Sequence, residues 1–211
     1  YSNKEVRVSI SYLFRIQAKG KFLLVKSRHR NYFEPVGGAF QTLPGSEKIF
    51  DKLQVRPDKL IETSHGIAKG DLRVYVKGWN LTTLLDWFYS REDREVSPWR
   101  EFCEELIQTD ILPHDKFRWI NYKYKGTVQT PVFKLQTGQP GMFVFEVYDF
   151  LPNDIQSGIL ERLCDQGDTD QYVWVTDYLI QRLGHDENGK NYKYDISPHT
   201  KWAANLKYSK D

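Results

Sequence analysis

SPWREFCEELIQTDIL, residues 97–112, carries three glutamates, Glu101, Glu104 and Glu105, within five positions, with the large apolar residues Trp99 and Phe102 among them. Ser97 is a suitable N-cap and Pro98 suits a first helical position, so the stretch predicts a helix. At about 100° per residue, Arg100, Glu104, Gln108, Glu101 and Glu105 fall within an arc of about 140°. Trp99, Phe102, Cys103, Leu106 and Ile107 take the opposite arc and predict a buried face. Three like charges on one arc repel, and Arg100 neutralises only one of them. Two readings fit this pattern: a solvated acidic face, or a carboxylate cluster that holds a hard divalent cation such as Mg²⁺.

The rest of the chain predicts a mixture of strands and helices, an α+β or sandwich architecture. Strands are expected at 6–16, 22–26, 71–78, 117–125, 131–136, 142–150 and 172–175, where apolar residues alternate or run together. KGK (19–21) reads as a hairpin turn, and 28–40 as a loop that begins basic and ends in Gly-Gly. Helices are expected at 80–91 behind an Asn80 cap, at 97–112, at 153–167, at 176–184 and at 197–206, with a turn over 186–190.

Composition narrows the function classes. The chain has 211 residues, 40% hydrophobic and 15% aromatic, enough for one domain with a sizeable core. Thirty basic against 28 acidic residues give a net charge of +2, which argues against bulk binding of long nucleic acid but leaves room for a small anion in a local basic pocket. Two cysteines, Cys103 and Cys164, make no disulfide framework. The five histidines (29, 65, 114, 185 and 199) have no zinc-like spacing with them. No run reaches the roughly 18 apolar residues of a membrane span.

The 97–112 segment resembles the Nudix signature: Gly, five residues, Glu, seven residues, then Arg-Glu-apolar-x-Glu-Glu-x-Gly-apolar. Glu92, seven residues and then REFCEEL from Arg100 match its second part. FLLVKSRHRNYFEPVGGAF upstream resembles the strand and Gly-Gly loop before the box, with Gly38 as its opening glycine. Two features depart from it. Residues 39–91, 53 in all, stand where the family has five, an insertion of 48, and Ile107 holds the place of the closing glycine. This split box, with DLRVYVKG and LLDWFYSREDREVSPWREFCEELI, resembles the Nudix domains associated with SMODS (CD-NTase) operons of CBASS anti-phage systems.

The resemblance implies a single Nudix-like α/β/α sandwich over 1–211, with a mixed β-sheet and 41–91 as an insertion within the box. It implies a sensor of a cyclic oligonucleotide, most simply a cyclic dinucleotide, supplied as second messenger by a partner CD-NTase. In that family the domain faces the cytoplasm from the bacterial inner membrane, through an N-terminal anchor expected outside this sequence, and oligomerises on activation. No cofactor is needed for sensing. The alternative it implies is a Mg²⁺-dependent hydrolase of a nucleoside diphosphate derivative or cyclic nucleotide. Glu101, Glu104 and Glu105 would then hold the metal and Arg100 would orient a glutamate.

For a ligand, the residue chemistry nominates Arg28 and Arg30 as phosphate contacts. Of Tyr32 and Phe33, one is expected in the core and the other is free to stack on a base. Arg7 and Ser11 share a polar stripe with Ser9 on the first strand, open to water or to a ligand. Arg73, Arg94 and Lys123 are further candidates. His199, early in a capped helix, completes the set.

Overall fold

The computed structural model describes residues 2–28, 30–58, 70–185, 189 and 191–209. In chain order the elements are β1 (Glu5–Arg15), β2 (Gln17–Ala18), β3 (Lys21–Lys26), β4 (Phe33–Glu34), β5 (Gly37–Ala39), α1 (Ser46–Leu53), β6 (Arg56–Pro57), β7 (Arg73–Lys77), α2 (Leu81–Ser90), α3 (Trp99–Phe102), α4 (His114–Phe117), β8 (Asn121–Gln129), β9 (Phe133–Lys134), β10 (Pro140–Leu151), α5 (Asp154–Gln166), β11 (Tyr172–Val175), α6 (Asp177–Gln181) and α7 (Pro198–Asn205). The larger sheet has strand order β6-β7-β1-β10-β8, with β5 paired to β1 and β9 to β10. The smaller has order β11-β3-β2, with β4 on β3. His29, His65, residues 59–69 of the insertion and all but Gly189 of the turn expected over 186–190 lie outside the described residues.

The chain divides into two compact units. The first comprises Tyr1–Tyr12, Gly38–Pro98 and Gln129–Phe145, so the described residues of the 41–91 insertion fall within it. Here β1 and β7 pair antiparallel with Val6 opposite Val76 and Val8 opposite Val74, four buried valines on one face. The strand period of two places Arg7 and Tyr75 on the other face. α2 buries Leu84, Leu85, Trp87 and Phe88, the helical spacing expected of an amphipathic helix. Asn80 does not cap it. Its side-chain amide instead donates to the Leu53 carbonyl at 3.0 Å, closing the end of α1.

The second unit comprises Leu13–Gly37, Trp99–Val128 and Glu146–Asp211. β3 and β11 pair antiparallel, Leu24 opposite Val173 and Phe22 opposite Val175. Lys19 and Gly20 take positive φ values of 50° and 71° and form the turn into β3. α5 opens with a capping box: Asn153 accepts from the Gln156 N–H and Gln156 reaches back to the Asn153 N–H. The Gln156 side chain also donates to the carbonyls of Lys116 and Trp119, which pins α4. Thr176 caps α6, its side chain accepting from the Leu179 N–H. No helix among the described residues is long and apolar enough to cross a membrane.

Two of the expected strands shift. The strand expected over 117–125 begins at Asn121, because Phe117 ends α4 and is buried as its apolar anchor. The strand expected over 131–136 is reduced to Phe133–Lys134.

Candidate functional site

The glutamate segment is not one regular helix. Trp99–Phe102 is α-helical, but Cys103–Ile107 is a π-helix, marked by the Gln108 N–H donating to the Cys103 carbonyl five residues back at 2.9 Å. Wider π turns shift every later side chain off the α-helical wheel, and they recur at functional sites. Phe102 and Leu106 face the core, fully buried, as expected. The carboxylate arc does not face water. Glu101 and Glu105 are buried, at 9% and 7% exposure, which sets aside the solvated acidic face.

Each carboxylate has an identified partner. Glu105 Oε2 accepts from the Gly37 backbone N–H at 2.8 Å. Arg100 Nη1 donates to Glu101 Oε1 at 2.7 Å and to Glu104 Oε1 at 3.4 Å. Arg28, from the basic loop, donates through Nη1 to the other Glu104 oxygen, Oε2, at 3.0 Å. Beside these, Glu34 pairs with His199 Nε2 at 3.1 Å. Ser197 Oγ lies 3.1 Å from the same nitrogen, and the Tyr32 ring stands edge-on to the imidazole at 6.2 Å. The Phe33 N–H donates to the Asp195 carbonyl and the Ser197 N–H to that of Phe33, so backbone bonds tie the start of α7 to the loop that carries Arg28 and Gly37.

Burial raises the Glu105 carboxyl well above the usual value of 4.5. The neighbouring Glu101 adds to this and Glu34 contributes, against the opposing Gly37 N–H and Arg28. Glu101 is raised too, chiefly by burial, with Arg100 opposing. Burial works against the charge of Arg28, but its hydrogen bond to Glu104 and the fields of Glu105, Glu101 and Glu104 hold its guanidinium above its usual value.

These shifts fix a pH dependence. A folded-state value raised above the unfolded one adds stability below the unfolded value and loses it as pH rises through the folded value. Glu105→Gln, neutral throughout, is therefore expected to match the parent in thermal unfolding below the unfolded carboxyl value of 4.5 and to become progressively the more stable of the two as pH rises above it. A difference that stays constant with pH would rule out Glu105 as the titrating group.

Among the described residues, no three His, Cys, Asp or Glu side chains come together as a metal-holding group. Guanidinium groups engage both oxygens of Glu104 and one of Glu101. This arrangement does not fit the Mg²⁺ site expected of Glu101, Glu104 and Glu105, since Mg²⁺ demands near-octahedral oxygen ligation.

The family model described as "SMODS-associated NUDIX domain" matches residues 5–204. The chain belongs to this family. No curated protein matches it. Among solved structures it is similar to "Crystal structure of a Nudix Hydrolase from M. Smegmatis, RenU", at 10% identity and a TM-score of 0.31, covering 98% of this chain and 84% of that one. The α+β composition, with a mixed sheet and helices, is that of a Nudix-like sandwich.

In this SMODS-associated NUDIX domain the expected site residues sort by unit. Arg28, Tyr32, His199, Arg100, Glu101, Glu104 and Glu105 all belong to the second unit: Arg28, Arg100, Glu101 and Glu104 share ion pairs, Tyr32 meets His199, and Glu105 meets the Gly37 N–H. Phe33 belongs to it as well but packs against the cluster of Leu24, Val173, Val175, Ile180 and Ile196, with Lys26 Nζ 5.0 Å over its ring. Of the aromatic pair, Phe33 is therefore the core residue. Arg30 is exposed, and Lys123 is exposed on β8.

The remaining candidates lie in the first unit. Arg7 pairs with the buried Asp58 at 2.6 Å, Arg73 pairs with Asp71 at 2.8 Å, and Ser11 is buried rather than on a wet stripe. Arg94 is 2% exposed between the rings of Phe40 and Phe88, a framework position. Sequence reasoning missed Glu34 and the Gly37 N–H. The available signal was an acid inside a basic, aromatic loop directly before Gly-Gly.

Proposed function

We propose that this domain is a sensor that binds a cyclic oligonucleotide, most simply a cyclic dinucleotide made by a partner CD-NTase, within an antiviral effector. Membership of the SMODS-associated family supports the setting. The observation that carries the reading is the engagement of the box carboxylates by Arg28 and Arg100. Guanidinium groups match phosphate oxygens in pairs, and the loop that carries Arg28 also carries Tyr32, whose ring stands edge-on to His199. The site therefore offers cation and ring chemistry for a phosphodiester and a base. Reporting of the ligand to a bacterial inner membrane, and assembly on activation, belong to the same proposal.

One observation favours a hydrolase instead. Glu105 is buried with a raised carboxyl, as a general base often is. A single experiment decides between the two. The purified domain is titrated by calorimetry with a panel of cyclic di- and trinucleotides, with Mg²⁺ and with EDTA, and each mixture is chromatographed afterwards. The sensor predicts micromolar or tighter binding in EDTA with the ligand recovered intact. Metal-dependent conversion of the ligand would establish the hydrolase, and no binding across the panel would sink the sensor.

A further inference from the structure

We infer that the Glu104 carboxylate is a built-in stand-in for a ligand phosphate: it occupies the anion position between Arg28 and Arg100, and a phosphate group binds by displacing it. This deepens the reading above and rests on it. One oxygen of Glu104 takes Arg28 at 3.0 Å and the other takes Arg100 at 3.4 Å. A single carboxylate thus bridges two guanidinium groups, the way a phosphodiester uses two of its oxygens.

The three partners differ in how firmly they are held. Arg100 has a second, shorter bond to Glu101 at 2.7 Å and so keeps its place when Glu104 leaves. Arg28 is the more open side chain, at 39% exposure against 22% for Arg100, and Glu104 is 20% exposed. Glu101 and Glu105 are more deeply buried, at 12% for the Glu101 side chain and 7% for the whole of Glu105, and each has an identified donor of its own, Arg100 and the Gly37 N–H. Of the three glutamates, Glu104 is therefore the one that can turn out toward solvent while the buried framework stays intact. Displacement exchanges one anion for another between the same two cations, with no metal required.

The exchange predicts an unusual sign. Removing a carboxylate from a metal site weakens phosphate binding, whereas removing an internal competitor strengthens it. In EDTA, at fixed ionic strength, calorimetric titration with inorganic pyrophosphate is expected to give binding to Glu104→Gln about tenfold tighter than to the parent, because a like charge facing the ligand has gone. Adding Arg28→Gln to that variant should abolish the gain. Pyrophosphate binding to Glu104→Gln that is no tighter, or a gain that survives Arg28→Gln, overturns the inference. Circular dichroism checks each fold. If Glu104→Gln does not fold, Glu104→Asp, which retracts the carboxylate by one methylene, carries the same expectation of tighter binding. The cyclic-nucleotide panel separates the two levels. A parent that binds none of the panel defeats the sensor whatever pyrophosphate does, while a parent that binds them without the predicted exchange defeats only the role of Glu104.

Discussion

Arg94→Ala is expected to cost about 3–5 kcal/mol of stability, seen as a fall in the urea midpoint followed by tryptophan fluorescence. Its side chain is 2% exposed and its guanidinium lies 3.9 Å from the Phe88 ring centre and 4.8 Å from that of Phe40. It donates through Nε to the Phe88 carbonyl and through Nη1 to the Glu95 carbonyl, each at 2.7 Å. Phe88 lies in the last turn of α2, where its carbonyl also takes the C-cap Arg91 N–H at 3.3 Å and a cation is favoured. Truncation removes the ring contacts, strips two carbonyls of a charged donor, and leaves a void between aromatic rings that cannot collapse freely. Arg94→Lys should recover little, because an ammonium lacks the planar fork that reaches both carbonyls from between two rings. A loss below about 1 kcal/mol would show that the guanidinium is dispensable there.

Phe102→Ala is expected to cost a similar amount, about 3–5 kcal/mol. This ring is fully buried and meets Phe14 and Phe150, each at 5.4 Å, Trp99 at 5.8 Å and Phe117 at 6.4 Å. Four aromatic neighbours are rigid and leave a cavity open once the ring is removed. Phe102 also lies between Glu101 and Glu104 in the chain, so the loss should reach the site as well as the melting temperature. We expect the melting temperature to fall by roughly ten degrees, while Phe102→Leu, which fills most of the volume, falls by much less. Equal losses for leucine and alanine would mean that ring geometry outweighs volume. Little loss for either would mean that the segment is anchored elsewhere.

The mutations draw attention to what the chain spells out locally. The buried arc of Phe102 and Leu106, the strand of β7 and the helices that follow Asn153 and Thr176 were all legible, since each depends on residues a few positions apart. The box spacing from Glu92 to Arg100, REFCEEL, the Gly-Gly loop and the inserted DLRVYVKG and LLDWFYSREDRE together pointed to the family. Arg94 was not legible as a core residue. It sits in REDRE, a charged run that reads as surface, and what buries it is a pair of rings supplied by β5's neighbour Phe40 and by α2.

The same division holds at the site. The sequence by itself determined that three carboxylates would gather on one short segment and that a basic, aromatic loop would precede Gly-Gly. Only the tertiary structure decided that the segment widens into a π turn and that Glu101 and Glu105 turn inward. It also decided that Arg28 meets Glu104 across 76 residues and that the Gly37 N–H meets Glu105 across 68. The physical reason is reach. Helical and strand periods fix which side chains share a face within one element, but the partner a carboxylate finds is set by chain closure over many tens of residues, and burial then decides whether it meets water, an arginine or a backbone N–H.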